Sequence, residues 1–122
     1  MSARRKRGRL SRSGDFDRVY RDGRSRSNRF LVLYSFPRGE AAQEGTRLGV
    51  SVSRKVGGAT ERSSVKRALR EAFWELEPGL PTDHDFVVVA RPDVAGLVER
   101  DGTPGVAEAL RELAAGTGLE GA

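Results

Sequence analysis

The sequence predicts an α+β chain: a small α/β sandwich in which one mixed sheet of three to four strands is packed with helices. Three observations predict it. Residues 47–53 alternate, with Leu48, Val50 and Val52 on one side and Arg47, Gly49, Ser51 and Ser53 on the other, the period of a strand. Residues 61–76 place Val65, Leu69, Ala72, Phe73 and Leu76 in one helical stripe with Ala68 at its edge. The run Phe86 to Ala90 is continuously apolar and short, which suits a strand buried on both faces. With 122 residues the chain holds one domain with a real core and not two.

Residues 1–12 carry dense charge and a single aliphatic side chain beyond Met1 and Ala3, Leu10, and read as a basic flexible arm. A helix follows, with Ser13 as N-cap, Asp15 in the first turn where the dipole favours a carboxylate, and Phe16, Val19 and Tyr20 at spacings of three and four. Gly23 stops it. Residues 28–36 are rich in β-formers and end at Pro37, and a polar stretch leads to the alternating strand, so the two are expected as an antiparallel pair. Gly57 and Gly58 loosen the approach to the next helix, which Thr60 is expected to cap. After the apolar strand, residues 93–100 form a short helix, and Thr103 with Pro104 opens a last one carrying Val106, Ala109, Leu110 and Leu113 inward. Residues 13–116 are thus one domain and 117–122 a frayed tail.

Charge is divided along the chain. Residues 1–70 hold 19 Lys+Arg against 6 Asp+Glu, and residues 71–122 hold 3 against 11, a basic part of +13 followed by an acidic part of −8. A basic surface of that density calls for a polyanion, and nucleic acid is the usual one, so residues 13–116 read as a nucleic-acid-binding domain. Within the long helix, Arg62, Lys66 and Arg70 recur every four residues along the flank of the apolar stripe, with Arg67 and Ser63 beyond them and Glu71 and Glu75 on the far side. The ridge has no neutralising partner on its own side. The small, hydroxylated face of Gly49, Ser51 and Ser53 leaves two readings open, an ordinary solvated sheet face or a surface that a nucleic-acid strand approaches closely. Phe16, Tyr20 and Tyr34 could stack on unpaired bases or fill the core; the polar tips of the two tyrosines suit a wet surface.

Catalytic chemistry finds no footing in the residues. His84 is the only histidine and there is no cysteine, so a histidine pair, a thiolate metal site and a disulfide are all excluded. His84 reads as a strand-edge residue. No apolar run reaches the length of a signal peptide or a membrane span, and with no cysteine the expected location is cytoplasmic.

The segments RLSRSGDFDRVYRDGRSRSNRFLVLY, RLGVSVSRKVGGATERSSVKRALREAF and DFVVVARP, in this order and at these separations, resemble the protein subunit of bacterial ribonuclease P. The most specific part is Gly49 to Gly57 followed by the Arg62 to Arg70 helix. The resemblance implies an α/β sandwich with a left-handed β-α-β crossover, against the usual handedness. It implies a ribonucleoprotein endonuclease that removes the 5′ leader of precursor tRNA, with catalysis by the RNA subunit and its Mg2+, and no ion held by the protein that the sequence shows. The expected partners are the catalytic RNA and precursor tRNA, with no membrane and no small-molecule substrate, which makes residues 13–116 an RNA-binding domain. Carried over by position, Arg54, Lys55, Arg62, Lys66, Arg67 and Arg70 face the catalytic RNA, while Phe16, Tyr20, Tyr34, Ser51 and Ser53 hold the leader, with Gly49 lining the same cleft. One departure stands out: the family's helix opens Arg-Asn-Arg, and here it is Arg62-Ser63-Ser64. Gly58 also stands where relatives commonly carry Asn. A structural RNA-binding protein of ribosomal type is the alternative that charge and fold also permit, and a stand-alone nuclease is disfavoured by the lack of metal ligands.

Overall fold

In the computed structural model, which describes residues 7–38, 45–81 and 84–116, the chain runs β1 (Arg7–Arg9), α1 (Ser13–Asp22), β2 (Arg24–Ser27), β3 (Leu31–Pro37), β4 (Thr46–Ser51), α2 (Ala59–Leu76), a 3-10 turn (Glu77–Gly79), β5 (His84–Ala90) and α3 (Val94–Gly116). One mixed sheet has the order β1-β4-β5-β3-β2. β1 and β5 pair parallel to β4, while β3 pairs antiparallel to both β5 and β2. The α+β sandwich is as expected, but the sheet has five strands rather than three to four.

The additional strands are the edges. β1 and β2 are short and built from Arg, Ser and Gly, so neither shows the apolar alternation that marks a strand in sequence. Part of the segment expected as a flexible arm is therefore sheet: Arg7–Arg9 pair with Thr46–Leu48, the Leu10 amide donates to the Leu48 carbonyl at 3.0 Å, and the Leu10 side chain is buried. Residues 1–6 and the expected tail 117–122 lie outside the described residues. The expected antiparallel pairing of the strands at 28–36 and 47–53 is also corrected, because β5 lies between β3 and β4. A strand apolar on both sides loses least by taking two neighbours and two covered faces. Phe86, Val87 and Val88 are fully buried at the centre.

Element ends differ from expectation by local hydrogen bonding. The Asn28 side-chain oxygen accepts from the backbone N–H of Phe30 and Leu31, both at 3.0 Å, which holds residues 28–30 in a turn and delays β3 to Leu31. Ser13 and Thr60 are not caps: Arg12 and Gly58 hold those positions, and neither helix has a side-chain cap bond. The two expected C-terminal helices are present as the two arms of α3, broken at Gly102, whose φ of 63° and ψ of −155° suit glycine alone. Thr103 Oγ1 is 3.0 Å from Glu71 Oε1 and donates to it, tying α3 to α2.

The sheet separates two cores. On one face, Val65, Ala68, Leu69, Ala72 and Phe73 of α2 and Val106, Leu110 and Leu113 of α3 pack against Leu48, Phe86, Val88, Leu31 and Leu33. Phe73 and Phe86 meet at 5.1 Å between ring centroids. On the other face, α1 buries Val19 against Val87 and Leu10. α1 is only ten residues long, so it covers part of this face and leaves the rest open.

At one end of the sheet, buried Asp85 collects arginines. Arg47 of β4 grips it with two bonds, Nε to Oδ1 at 2.8 Å and Nη2 to Oδ2 at 2.7 Å. Arg38 Nε lies 2.9 Å from Oδ1, and Arg38 also donates to the Gly45 carbonyl. Arg47 Nη1 reaches Asp15 of α1 at 3.5 Å. Because Asp85 is 1% exposed, removing its charge strands Arg47 and Arg38. Asp85→Ala is therefore expected to lower unfolding free energy by about 3–5 kcal/mol, measured by urea denaturation.

Candidate nucleic-acid interface

Strand register brings one set of side chains together on the face that α1 partly covers. Directly paired residues share a face, so Gly49, Val87, Tyr34 and Ser25 form one row across the sheet, and Ser51, Val89, Val32 and Ser27 form the next. α1 closes one side of this floor. Phe16 lies 6.2 Å from Tyr20, and Tyr20 meets Tyr34 edge-on at 4.9 Å, all between ring centroids. The result is a shallow cleft with one aromatic wall, on α1, and a floor of small hydroxyl and aliphatic groups with Tyr34 among them.

The three aromatics do not have equal roles. Tyr20 is 39% exposed, the single large hydrophobic side chain so exposed among the described residues. Burial of part of its ring raises the phenol above its ordinary value, the Ser51 hydrogen bond offsets some of this, and Tyr34 and Asp17 add to the rise. The neutral hydroxyl is thus present throughout the physiological range. Tyr34 is half-buried beside it, and Phe16 belongs to the small core under α1.

Gly49 does not line an open surface. A Cβ there would stand 2.6 Å from Phe16 Cζ and 3.1 Å from Leu10 Cβ, so the glycine is the seat on which α1 and the β1 extension rest. Ser53 is likewise outside the floor. β4 ends at Ser51, and Ser53 opens a turn in which its carbonyl accepts from Val56 at 3.1 Å and its Oγ from the Lys55 amide at 3.3 Å. Arg54 and Lys55 are exposed in that turn, which joins the cleft strand to α2.

On α2, Arg67 is exposed while Arg62, Lys66 and Arg70 are half-buried along the flank of the core stripe. Arg62 turns one N–H back to the Gly57 carbonyl at 3.1 Å, leaving its other donors for a ligand. Lys66, Arg67 and Arg70 border an open groove with Ser63 and Glu71. Ser64 borders two grooves, one shared with Ser63 and Arg67 and one of about 320 Å³ beside Ala95, Gly96 and Glu99. Arg70 sits below the usual arginine range, first through partial burial and then through the neighbouring charge of Arg9. Arg9 is the basic residue that sequence reading missed, because only strand pairing brings it to α2.

His84 opens β5 and stacks on Phe86 at 5.7 Å, as a strand-edge residue. Among the described residues no group of three or more His, Cys, Asp or Glu is placed to hold a metal ion, and no helix is long and apolar enough to cross a membrane. Gly49→Ala should cost about 1–3 kcal/mol in urea unfolding, with loss of the near-ultraviolet signal of the Tyr20–Tyr34 pair as Phe16 and α1 are displaced.

A family model described as Ribonuclease P matches residues 5–113. The Ribonuclease P protein component of Lactiplantibacillus plantarum is 36% identical over 107 residues, covering 88% of this chain and 92% of that protein. Among solved structures, the RNase P protein of Staphylococcus aureus aligns with a TM-score of 0.78 at 30% identity, covering 92% of this chain and 96% of that one. The RNase P protein from Thermotoga maritima aligns at 0.73 and 33% identity, covering 85% and 92%.

Proposed function

Since this chain belongs to the ribonuclease P protein family, we propose that it is the protein component of that endoribonuclease, binding the catalytic RNA with α2 and the 5′ leader of precursor tRNA in the cleft. The observation that carries the reading is the division of labour on the surface. A basic ridge of Arg62, Lys66, Arg67 and Arg70, with Glu71 at its border, stands on one element, and an aromatic cleft of Tyr20, Tyr34 and Ser51 on another, with Arg54 and Lys55 in the turn that joins them.

The physical chemistry suits a binding subunit. Guanidinium groups on a rigid helix contact phosphates in pairs without reading sequence, which fits a large folded RNA. The cleft offers ring faces and edges to unpaired bases, a mode that tolerates any leader sequence and contributes about 1–3 kcal/mol per stacked base. Phe16 supports this site from beneath, and Ser53 stands at its end. Bond breaking falls to the RNA and the Mg2+ it holds; no step is assigned to a protein-held ion. The particle acts in the cytoplasm, where precursor tRNA is made.

Reconstitution tests the reading. Added to a transcript of bacterial ribonuclease P RNA at low magnesium, the chain should promote leader removal from precursor tRNA. A chain that binds RNA without promoting cleavage would favour a structural RNA-binding protein of ribosomal type, and cleavage without the transcript would make the polypeptide itself the nuclease. Replacing Arg62, Lys66 and Arg70 together by Ala should flatten the salt dependence of binding to that transcript by a slope of roughly 2 to 3. Tyr34→Ala should weaken binding of precursor tRNA by the holoenzyme and leave binding of leaderless tRNA unchanged; equal loss for both would remove the leader from the cleft.

A further inference from the structure

β1 carries Arg7 and Arg9 toward α2, because they pair in register with Thr46 and Leu48, and Leu48 lies in the core beneath that helix. Arg7 is fastened there three times. Its Nη2 donates to the Trp74 carbonyl at 3.3 Å, its guanidinium stands 4.9 Å from the Trp74 ring centroid, and Nη2 is 3.6 Å from Oε1 of buried Glu77. α2 connects the parallel strands β4 and β5 and so runs back against them, and against β1. Two residues along β1, about 6.6 Å, match roughly one helical turn, about 5.4 Å. Arg9 therefore comes level with Arg70, four residues before Trp74.

Arg70 lies within reach of the charge of Arg9, and among the described residues neither has a carboxylate partner. The nearest acidic neighbour in sequence, Glu71, accepts from Thr103. We propose that Arg9 and Arg70 form a two-guanidinium clamp for a single RNA phosphodiester, built across β1 and α2, with Arg7, Trp74 and Glu77 as the latch that positions it. The clamp rests on the reading that this chain binds the RNA of ribonuclease P. Two like charges held side by side by a strand and a helix repel until an anion comes between them. A phosphodiester presents two oxygens, which two planar donors can share. The clamp widens the Arg62, Lys66, Arg70 ridge sideways onto β1, at its Arg70 end. It does not replace the basic group absent at Ser64, which stands nearer the N-terminal end of the helix, beside Ser63 and Arg67.

The test is binding of the full chain to a transcript of bacterial ribonuclease P RNA. Arg9→Gln and Arg70→Gln should each weaken binding about tenfold, the size of one lost charge-assisted contact. The double variant should lose little more than either single, because one phosphate is lost once. Losses that multiply to about a hundredfold would mean two separate contacts and overturn the clamp. Protection of the Leu10 amide from hydrogen exchange should be unchanged in Arg9→Gln, which shows β1 still docked. Arg7→Gln should weaken binding when Arg9 is present and have no effect in the Arg9→Gln background; equal loss in both would overturn the latch. If the native chain binds the transcript and Arg9→Gln binds equally well, the clamp alone fails. If the native chain does not bind the transcript, the functional reading fails.

Discussion

The buried carboxylate of Asp85 is the constraint on which the surface depends. It sits at the start of the central strand, nearly without solvent, and an unpaired charge there would not be tolerated. Arg47 meets it with both ends of its fork and at the same time reaches Asp15, so one side chain sets β4 against β5 and leans α1 on the sheet. Arg38 brings the end of β3 to the same oxygen. With α1 held at that end and seated on Gly49, the rest of the sheet face is left uncovered, and Tyr20, Tyr34 and Ser51 converge on it. The cleft is the consequence of a helix too short to cover the sheet it is fastened to.

The opposite layer solves a different problem. α2 buries Val65, Leu69, Ala72 and Phe73 and still carries a row of cations. It does so by placing the basic row at the margin of the apolar stripe, where aliphatic stems are covered and charged heads are wet. Two acidic residues of the second half are engaged elsewhere: Glu71, expected on the far side of α2 but bordering the groove of Lys66, Arg67 and Arg70, accepts from Thr103, and buried Glu77 pairs with Arg7. The division of charge along the sequence thus becomes a division in space, with no described carboxylate neutralising Arg70.

Much of this was legible in the sequence. The stripe of α2, the double burial of β5 and the basic row follow from side-chain periodicity, which depends only on local geometry. The resemblance on the Gly49–Gly57 and Arg62–Arg70 segments led to the family that the comparisons show. The edge strands were not legible. Arg7–Arg9 and Arg24–Ser27 carry no apolar pattern, since a strand at the rim takes its hydrogen bonds from a neighbour and needs no core-facing side chain. Gly49 shows how the same residue can mislead: a missing side chain reads as open space, yet the ring of Phe16 fills it.

The sequence by itself determined which residues are apolar at which period, and hence the long helix, the central strand and the basic ridge; with one histidine and no cysteine it also excluded a histidine pair and any thiolate site or disulfide. The tertiary structure alone decided strand order, the docking of β1, the partners of Asp85 and the meeting of Arg9 with Arg70. The physical reason is range. Periodicity is written within a few residues of chain, whereas the pairing of β1 with β4, the pairing of β5 with β3 and β4, and the approach of Arg9 to Arg70 join positions about forty to sixty residues apart, and are settled only when burial selects one packing over the others.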